Sequence, residues 1–298
     1  MTLKQFAKYG LAAAGLLALV VGQVAPASAV TFNYSQSTGW VLGTATTDPG
    51  FPVAGVPATL VSGVEFFQPS VNPDPALHAG DNAPPPNTFT TIGWGCQGAP
   101  PSGAGCPAPG NTVTGVDPKT NPNRSSLFAL GQAGTVSDDG VFVTITHLEH
   151  KNQPVTGQTL SSVEIESILR ISTEPPTSDA DSIEVTFKET LNAQPCATNN
   201  TGSSPCEDFF TFDFSSFDPL IITHNGQQFL VTFQLANLTN AFFDPTTGTV
   251  FTAEGTTSSL DVQMAITPVG VPEPATLMLL GTGLIGVGFA AAKRRRNK

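Results

Sequence analysis

Apolar and polar residues alternate with a period of two along five segments in the second half of the chain. In the first of them, apolar residues alternate with Glu164, Glu166 and Arg170. Successive side chains of a β-strand point to opposite faces, so this pattern predicts strands with one buried face. The five segments are 163–171, 183–188, 210–214, 229–235 and 260–266.

The first half of the chain is richer in loops, with candidate strands over 40–44, 60–67 and 88–94. Two segments dense in proline, glycine and asparagine, 81–87 and 97–123, are predicted surface loops. Each strand buries only one face, so two antiparallel sheets are expected to stack. The predicted fold is therefore an all-β, antiparallel, jelly-roll-like β-sandwich.

The N-terminal segment, residues 1–29, is typical of a secretory signal peptide. Lys4 and Lys8 precede an apolar stretch over 11–21, and Ala27-Ser28-Ala29 forms a small-residue cleavage site. The alternative is an N-terminal membrane anchor, but the apolar stretch is short of the roughly 20 residues that a span needs. The exported domain is predicted to cover residues 30–270.

The C-terminal end carries an uncharged apolar run, 275–292, followed by a basic tail, Lys293-Arg294-Arg295-Arg296. The run approaches the length of a helix that crosses a hydrocarbon core of about 30 Å. The basic tail is expected on the cytoplasmic side, which leaves the body outside. We therefore predict a single transmembrane helix here.

The motif Val271-Pro272-Glu273-Pro274 stands directly before this run. Motif, span and basic tail over 271–298 together resemble the PEP-CTERM sorting signal. The resemblance implies an exosortase, a membrane-embedded cysteine transpeptidase, as processing partner, in Gram-negative bacteria that make exopolysaccharide. It also implies export across the inner membrane, transient anchoring in the membrane, and a final place at the cell surface or outside the cell.

Several short motifs over 88–267 resemble the THxN group of PEP-CTERM proteins. They include Gly93-Trp94-Gly95, the pair Thr146 and His147, and Asn152. The resemblance implies a secreted or surface-anchored matrix component with no established enzymatic activity. The His and Asn of the motif are then expected to be structural.

The predicted exported body is strongly acidic. It contains five of the 12 Lys and Arg and 22 of the 23 Asp and Glu, a net charge of −17. Contacts to phosphate need a basic surface, so nucleic acid is excluded as a partner, and anionic polymers are disfavoured.

The four cysteines form two pairs with ten-residue spacing, Cys96 with Cys106 and Cys196 with Cys206. In an exported protein this favours two local disulfides among three possible connectivities. Zinc is the alternative, but there is no Cys-x-x-Cys spacing and no His close to a Cys.

The segment 141–154 contains the most unusual group of polar residues. A strand here places His147 and Glu149 on one face, while His150 is expected beyond the strand end. Such a pair suits a metal site or a general base, but a polar strand end before a turn is the simpler interpretation. Acidic pairs beside turns, Asp138-Asp139, Asp179 with Asp181, and Glu207-Asp208, offer Ca²⁺ ligands or solvated loop charge.

No catalytic residue set, metal site or cofactor is assigned, since Gly-x-Ser-x-Gly, Ser-x-x-Lys and His-Glu-x-x-His are all absent. Aromatic platforms for sugars are limited to Tyr34, Trp40 and Trp94. The sequence favours a non-enzymatic structural or adhesive protein linked to exopolysaccharide. The alternatives are a secreted hydrolase or lyase using His147 and Glu149, and a Ca²⁺-stabilised binding module.

Overall fold

The structure of the protein, a computed structural model, describes residues 29–51, 63–77, 86–95, 110–155, 157–173, 177–190, 206–212 and 219–270. These residues form sixteen strands and one 3₁₀ turn, Pro118–Thr120. The strands are β1 (Thr31–Val41), β2 (Thr46–Phe51), β3 (Val64–Pro69), β4 (Thr88–Trp94), β5 (Asn111–Val113), β6 (Ser125–Gly131), β7 (Ala133–Ser137), β8 (Val143–Asn152), β9 (Gly157–Ile171), β10 (Thr177–Lys188), β11 (Asp208–Phe212), β12 (Leu220–His224), β13 (Gln227–Thr239), β14 (Ala241–Asp244), β15 (Thr249–Thr252) and β16 (Thr256–Pro268). The predicted all-β, antiparallel class is confirmed.

The strands belong to one hydrogen-bonded sheet, and 31–267 form one compact unit. The strand order along the main path is β12-β13-β16-β8-β6-β4-β1-β9-β10-β11-β15-β14. Four short strands attach beside this path, with β2 on β9, β3 on β4, β7 on β1, and β5 running parallel to β3.

The prediction of two separate stacked sheets is wrong, because β1 joins the two halves. This long strand pairs with β9 from Tyr34 to Trp40 along one edge. Along its other edge it pairs first with β7 and then, at Trp40 and Val41, with β4. A strand shared in this way makes one continuous sheet out of what alternation alone predicts as two.

The sheet curls until strands far apart in its order face each other. His150 in β8 and Thr252 in β15 are separated by six strands in the order, yet His150 Nδ1 and Thr252 Oγ1 are 2.8 Å apart. Phe32 of β1 likewise meets Phe229 of β13 edge-on, with ring centroids 5.2 Å apart. The interior face of the curl therefore holds the hydrophobic core.

The core is aromatic and aliphatic, and each large buried side chain contributes about 1.5–3 kcal/mol of hydrophobic stabilisation. Its largest fully buried members are Trp40, Trp94, Phe32, Phe66, Phe229, Ile92, Leu160, Ile171, Ile222, Leu260, Met264 and Ile266. Burial of Tyr34, Trp40 and Trp94, each no more than 5% exposed, contradicts the suggestion that these rings form a sugar-binding platform.

The strands predicted from alternation agree with the observed strands wherever the chain is described. The predicted strand over 88–94 coincides with β4, whereas the predicted strand over 40–44 overlaps only the last two residues of β1. The signal peptide (1–29, described only from residue 29), the sorting motif, the predicted helix over 275–292 and the basic tail fall outside the described residues. Within the described part of the chain, no helix has the length and apolar character of a membrane span.

Candidate metal centre

Three acidic residues meet where neighbouring strands end at the same edge of the sheet. Glu189 follows β10, Asp208 begins β11, and Glu254 lies two residues after β15. These three strands are consecutive in the sheet, and Asp208 pairs with Thr252 across β11 and β15. We call Glu189, Asp208 and Glu254 the carboxylate cluster.

Local sequence explains why these side chains point inward. Phe187 and Phe210 face the core, and Glu189 and Asp208 stand two residues further along the same alternation. Thr252 is buried, and Glu254 follows it by two residues. Because side chains two apart share a face, each carboxylate takes the next interior position at its strand end.

The cluster is compact and shielded from solvent. One carboxylate oxygen from each residue lies within 4.8 Å of the others, and the exposed fractions are 6%, 0% and 7% in chain order. Asp208 Oδ1 accepts a hydrogen bond from the Thr190 N–H. Asp208 Oδ2 and both carboxylate oxygens of Glu189 and of Glu254 have no hydrogen-bond donor of good geometry among the described residues.

Burial dominates the electrostatics of these groups. It raises the pKa of Asp208 to about 7, against the opposing effects of the hydrogen bond from Thr190 and of the nearby Asn152 amide. Burial, together with the charge of Asp208, raises the pKa of Glu254 to about 8. Burial and the charges of Asp208 and Glu254 raise the pKa of Glu189 well above its ordinary value. Carboxyl groups this close are neutralised either by protons, as the raised pKa values indicate, or by a cation beside them.

His150 packs beside the cluster among aromatic rings. Its imidazole stacks on Trp94 at 5.7 Å and meets Phe187 edge-on at 5.3 Å. Burial lowers the pKa of His150 to about 3, so the ring is neutral. The Thr252 hydroxyl donates its one proton to the carbonyl of Asp208. In its hydrogen bond with His150 this hydroxyl is therefore the acceptor, so Nδ1 of the imidazole carries the proton.

Asn152 lies two residues further along β8 and is fully buried. Its Nδ2 donates to the carbonyl of Thr252 at 3.3 Å, and its amide group lies close enough to the Asp208 carboxyl group to lower the pKa of that group. Its Oδ1 has no donor among the described residues. The side-chain amide of Asn152 therefore lies beside Asp208, and its oxygen is unpaired among the described residues.

The residues selected from sequence, His147 and Glu149, do share one face of β8, as predicted, but it is the outer face. His147 Nδ1 is 2.7 Å from Asp261 Oδ1, and His147 Nε2 is 3.2 Å from Glu149 Oε1. Lys119 forms an ion pair with Glu149. Both ring nitrogens of His147 are thus occupied by hydrogen bonds to carboxylates.

The other polar residues of this segment depart from expectation. His150 was expected beyond the strand end, but β8 continues through Asn152 and buries both side chains on the inner face. Thr146 is also buried, whereas His147 is on the outside. The predicted motif residues Thr146, His147 and Asn152 therefore do not form one site.

Among the acidic pairs, Glu207 and Asp208 are completely buried, which contradicts their interpretation as solvated loop charge. Asp139 instead accepts a hydrogen bond from the Val141 N–H in an exposed turn. Cys206 is buried and is not a free thiol. Cys96, Cys106 and Cys196 lie outside the described residues, so the cysteine pairing stays a prediction.

The fold and this centre define an all-β protein with a buried acidic site suited to a hard cation. Comparison with protein families matches residues 270–296 to the PEP-CTERM protein-sorting motif. The match covers the predicted motif and basic tail, and it indicates exosortase-dependent export to the cell envelope or surface. A search of curated proteins finds no match to the chain.

Proposed function

We propose that this chain is an exosortase-processed surface or extracellular-matrix protein with a non-enzymatic structural or adhesive role linked to exopolysaccharide. The observation that carries the proposal is the sorting motif matched over 270–296. Its three parts have the order of a substrate for a membrane-embedded transpeptidase: a Pro-Glu-Pro segment, an apolar run and a basic end. The apolar run holds the chain in the membrane until processing releases it.

Membership of the THxN group is part of this proposal. His150-Lys151-Asn152 has the His-x-Asn part of the pattern that names the group, with Glu149 where the name has Thr, whereas Thr146-His147 has the Thr-His part with Glu149 in place of Asn. Both side chains are buried beside the carboxylate cluster, which supports a structural role for them. A motif that used His147 instead would place its histidine on the outer face of β8.

The occupied nitrogens of His147 support a role without catalysis. A general base needs a free lone pair directed at its substrate, and Asp261 and Glu149 take both ring nitrogens. The buried carboxylates are no better placed, since Asp208 has no exposed surface through which a polymer substrate could reach it. The hydrolase or lyase alternative therefore lacks an accessible set of residues in the described part of the chain.

The net charge of the exported body limits the kinds of polysaccharide that it can bind. A body of net charge −17 is repelled by an anionic polymer unless cations bridge the two. We therefore favour a neutral exopolysaccharide. Binding of the purified protein to the polysaccharide of its own host tests this part, and failure to bind neutral polymers leaves only the structural role.

The sorting part is tested in the native host by mass spectrometry of the mature C-terminus. We expect the wild-type chain to lose the apolar run and basic tail, and the Pro272→Ala/Pro274→Ala double variant to keep them. Pro268→Ala, outside the tripartite motif, is the matched control and should be processed normally. An intact C-terminus in wild type, or equal processing of the double variant, would contradict the proposal.

A further inference from the structure

We propose that Glu189, Asp208 and Glu254 bind one calcium ion after the chain has left the cytosol. Calcium takes oxygen ligands at 2.3–2.6 Å, so ligands on opposite sides of one ion lie at most about 5 Å apart. The three carboxylate oxygens of the cluster, all within 4.8 Å of one another, fit around a single ion.

Unpartnered polar atoms give a second reason besides acidity. Asn152 is fully buried beside the Asp208 carboxyl group, and its Oδ1 has no donor in the described part of the chain. Both carboxylate oxygens of Glu189 and of Glu254 also lack a donor, and these two residues are only 6% and 7% exposed. Buried polar atoms are normally paired, and a cation is the partner that serves all of these oxygens together.

Among the described residues, none supplies a positive charge to the carboxylate cluster. Within the described residues, no lysine or arginine forms an ion pair with the carboxylate cluster. Lys188, the nearest in sequence, has an exposed side chain that lies over the ring of Phe209. A divalent ion would instead reduce the formal charge of the cluster from −3 to −1.

Ligand chemistry selects calcium among common divalent ions. An all-oxygen set of carboxylates suits Ca²⁺, Mg²⁺ or Mn²⁺ better than the zinc and copper ions that prefer nitrogen and sulfur. Magnesium keeps several of its waters, which a closed site with almost no exposed surface does not favour. The outside of a cell is also where weak calcium sites are filled, at dissociation constants of about 10⁻⁴–10⁻³ M.

Only the timing of loading rests on the proposed export; the site itself is independent of it. The test uses the full chain, purified in detergent, stripped with chelator and returned to 10 mM CaCl₂ or 10 mM MgCl₂. We expect one bound calcium per chain and a melting temperature higher by about 3–10 °C in calcium. Magnesium should give a clearly smaller rise.

The variant Glu189→Gln/Glu254→Gln keeps the shape of two ligands and removes their charge. It should fold, since the repulsion among buried carboxylates falls, but its melting temperature should no longer respond to calcium. The matched control is Glu164→Gln/Glu184→Gln, which removes two exposed carboxylates from adjacent strands. This control should keep the full calcium response.

Terbium supplies a second readout that does not depend on stability. The indole of Trp94 lies beside Glu189, so a Tb³⁺ ion in the cluster should emit when tryptophan is excited. Trp94→Phe should reduce this emission while preserving the rise in melting temperature with calcium. Excess calcium should displace terbium and quench the signal.

Three results would overturn the proposal. The first is wild-type protein with neither bound calcium nor a calcium-dependent melting temperature. The second is a Glu189→Gln/Glu254→Gln variant that still responds like wild type, which would place the ion elsewhere. The third is an equal response to magnesium, which would reject calcium as the preferred ion. None of these results bears on processing at 270–296, so the two proposals fail separately.

Discussion

The backbone N–H of Thr190 donates a 2.7 Å hydrogen bond to Oδ1 of Asp208. The Thr190 hydroxyl donates in turn to the carbonyl of Glu207 at 2.9 Å. These two bonds tie the residues after β10 to the start of β11, and they orient the Asp208 carboxyl group. The carboxylate cluster is therefore positioned by backbone pairing as well as by its own side chains.

Substitution of Asp208 should separate its hydrogen bond from its charge. In calcium-free buffer, Asp208→Asn should stay within about 1 kcal/mol of wild type, because Oδ1 still accepts from Thr190 and a buried charge is lost. Asp208→Leu leaves that N–H without its acceptor and should cost about 1–3 kcal/mol. Urea unfolding measures both, and equal stability of the two variants would show that this hydrogen bond contributes nothing.

Acid should remove the stability that neutral His150 contributes to the fold. Burial lowers the pKa of His150 to about 3, while the unfolded chain titrates near 6.5. Between these values only the unfolded chain takes the proton, so stability from neutral His150 is complete above about pH 6.5 and is lost as the pH falls toward 3. Relative to a His150→Phe variant, each pH unit in this window should cost up to about 1.4 kcal/mol, read as the difference between the two proteins in urea unfolding between pH 6.5 and 4.5.

His150→Phe is the control for this pH effect. The neighbouring carboxyl groups of Glu189, Asp208 and Glu254 have raised pKa values, so they act with the opposite sign in calcium-free protein. Their contribution is shared by both proteins, and the difference between the two isolates the imidazole. Parallel stability profiles for wild type and His150→Phe would contradict the assignment.

Alternation in the sequence predicts which way the carboxylates point but not that they meet. Extending the apolar pattern by two residues from Phe187 gives Glu189, and from Phe210 it gives Asp208, both as interior positions. Their convergence depends on β10, β11 and β15 being neighbours, which is fixed by backbone pairing between segments that are distant in sequence. The three residues therefore share no local motif.

The same limit explains the two main errors. The continuous sheet follows from β1 pairing along both of its edges, and backbone hydrogen bonds leave no signature in side-chain alternation. The sequence predicts a strand end before His150 because the polar residues Lys151, Asn152 and Gln153 are typical of a turn. Buried partners such as Trp94 and Thr252 compensate for the polarity of His150 and Asn152, and those partners come from other strands.

Glycine at the end of β6 is required by its close approach to β1. A Cβ atom on Gly131 would stand 1.9 Å from the backbone oxygen of Gln36. Gly131→Ala must move the backbone of one strand and should cost at least about 2 kcal/mol. Gly115→Ala, where a Cβ meets nothing within 4 Å, should change stability by no more than about 0.5 kcal/mol. Equal effects in thermal unfolding would refute the contact.

Glu164 and Glu184 stand directly opposite each other on β9 and β10, and both side chains are exposed. Like charges at opposed positions repel, so Glu184→Lys should replace repulsion with attraction and stabilise the protein by about 0.2–1 kcal/mol. Glu184→Gln should gain less, because it removes the repulsion only. Salt screens exposed charges, so the advantage of the lysine variant in urea unfolding should shrink between 0.05 M and 1 M NaCl. A gain that is independent of salt would mean that packing or strand propensity, rather than charge, produces it.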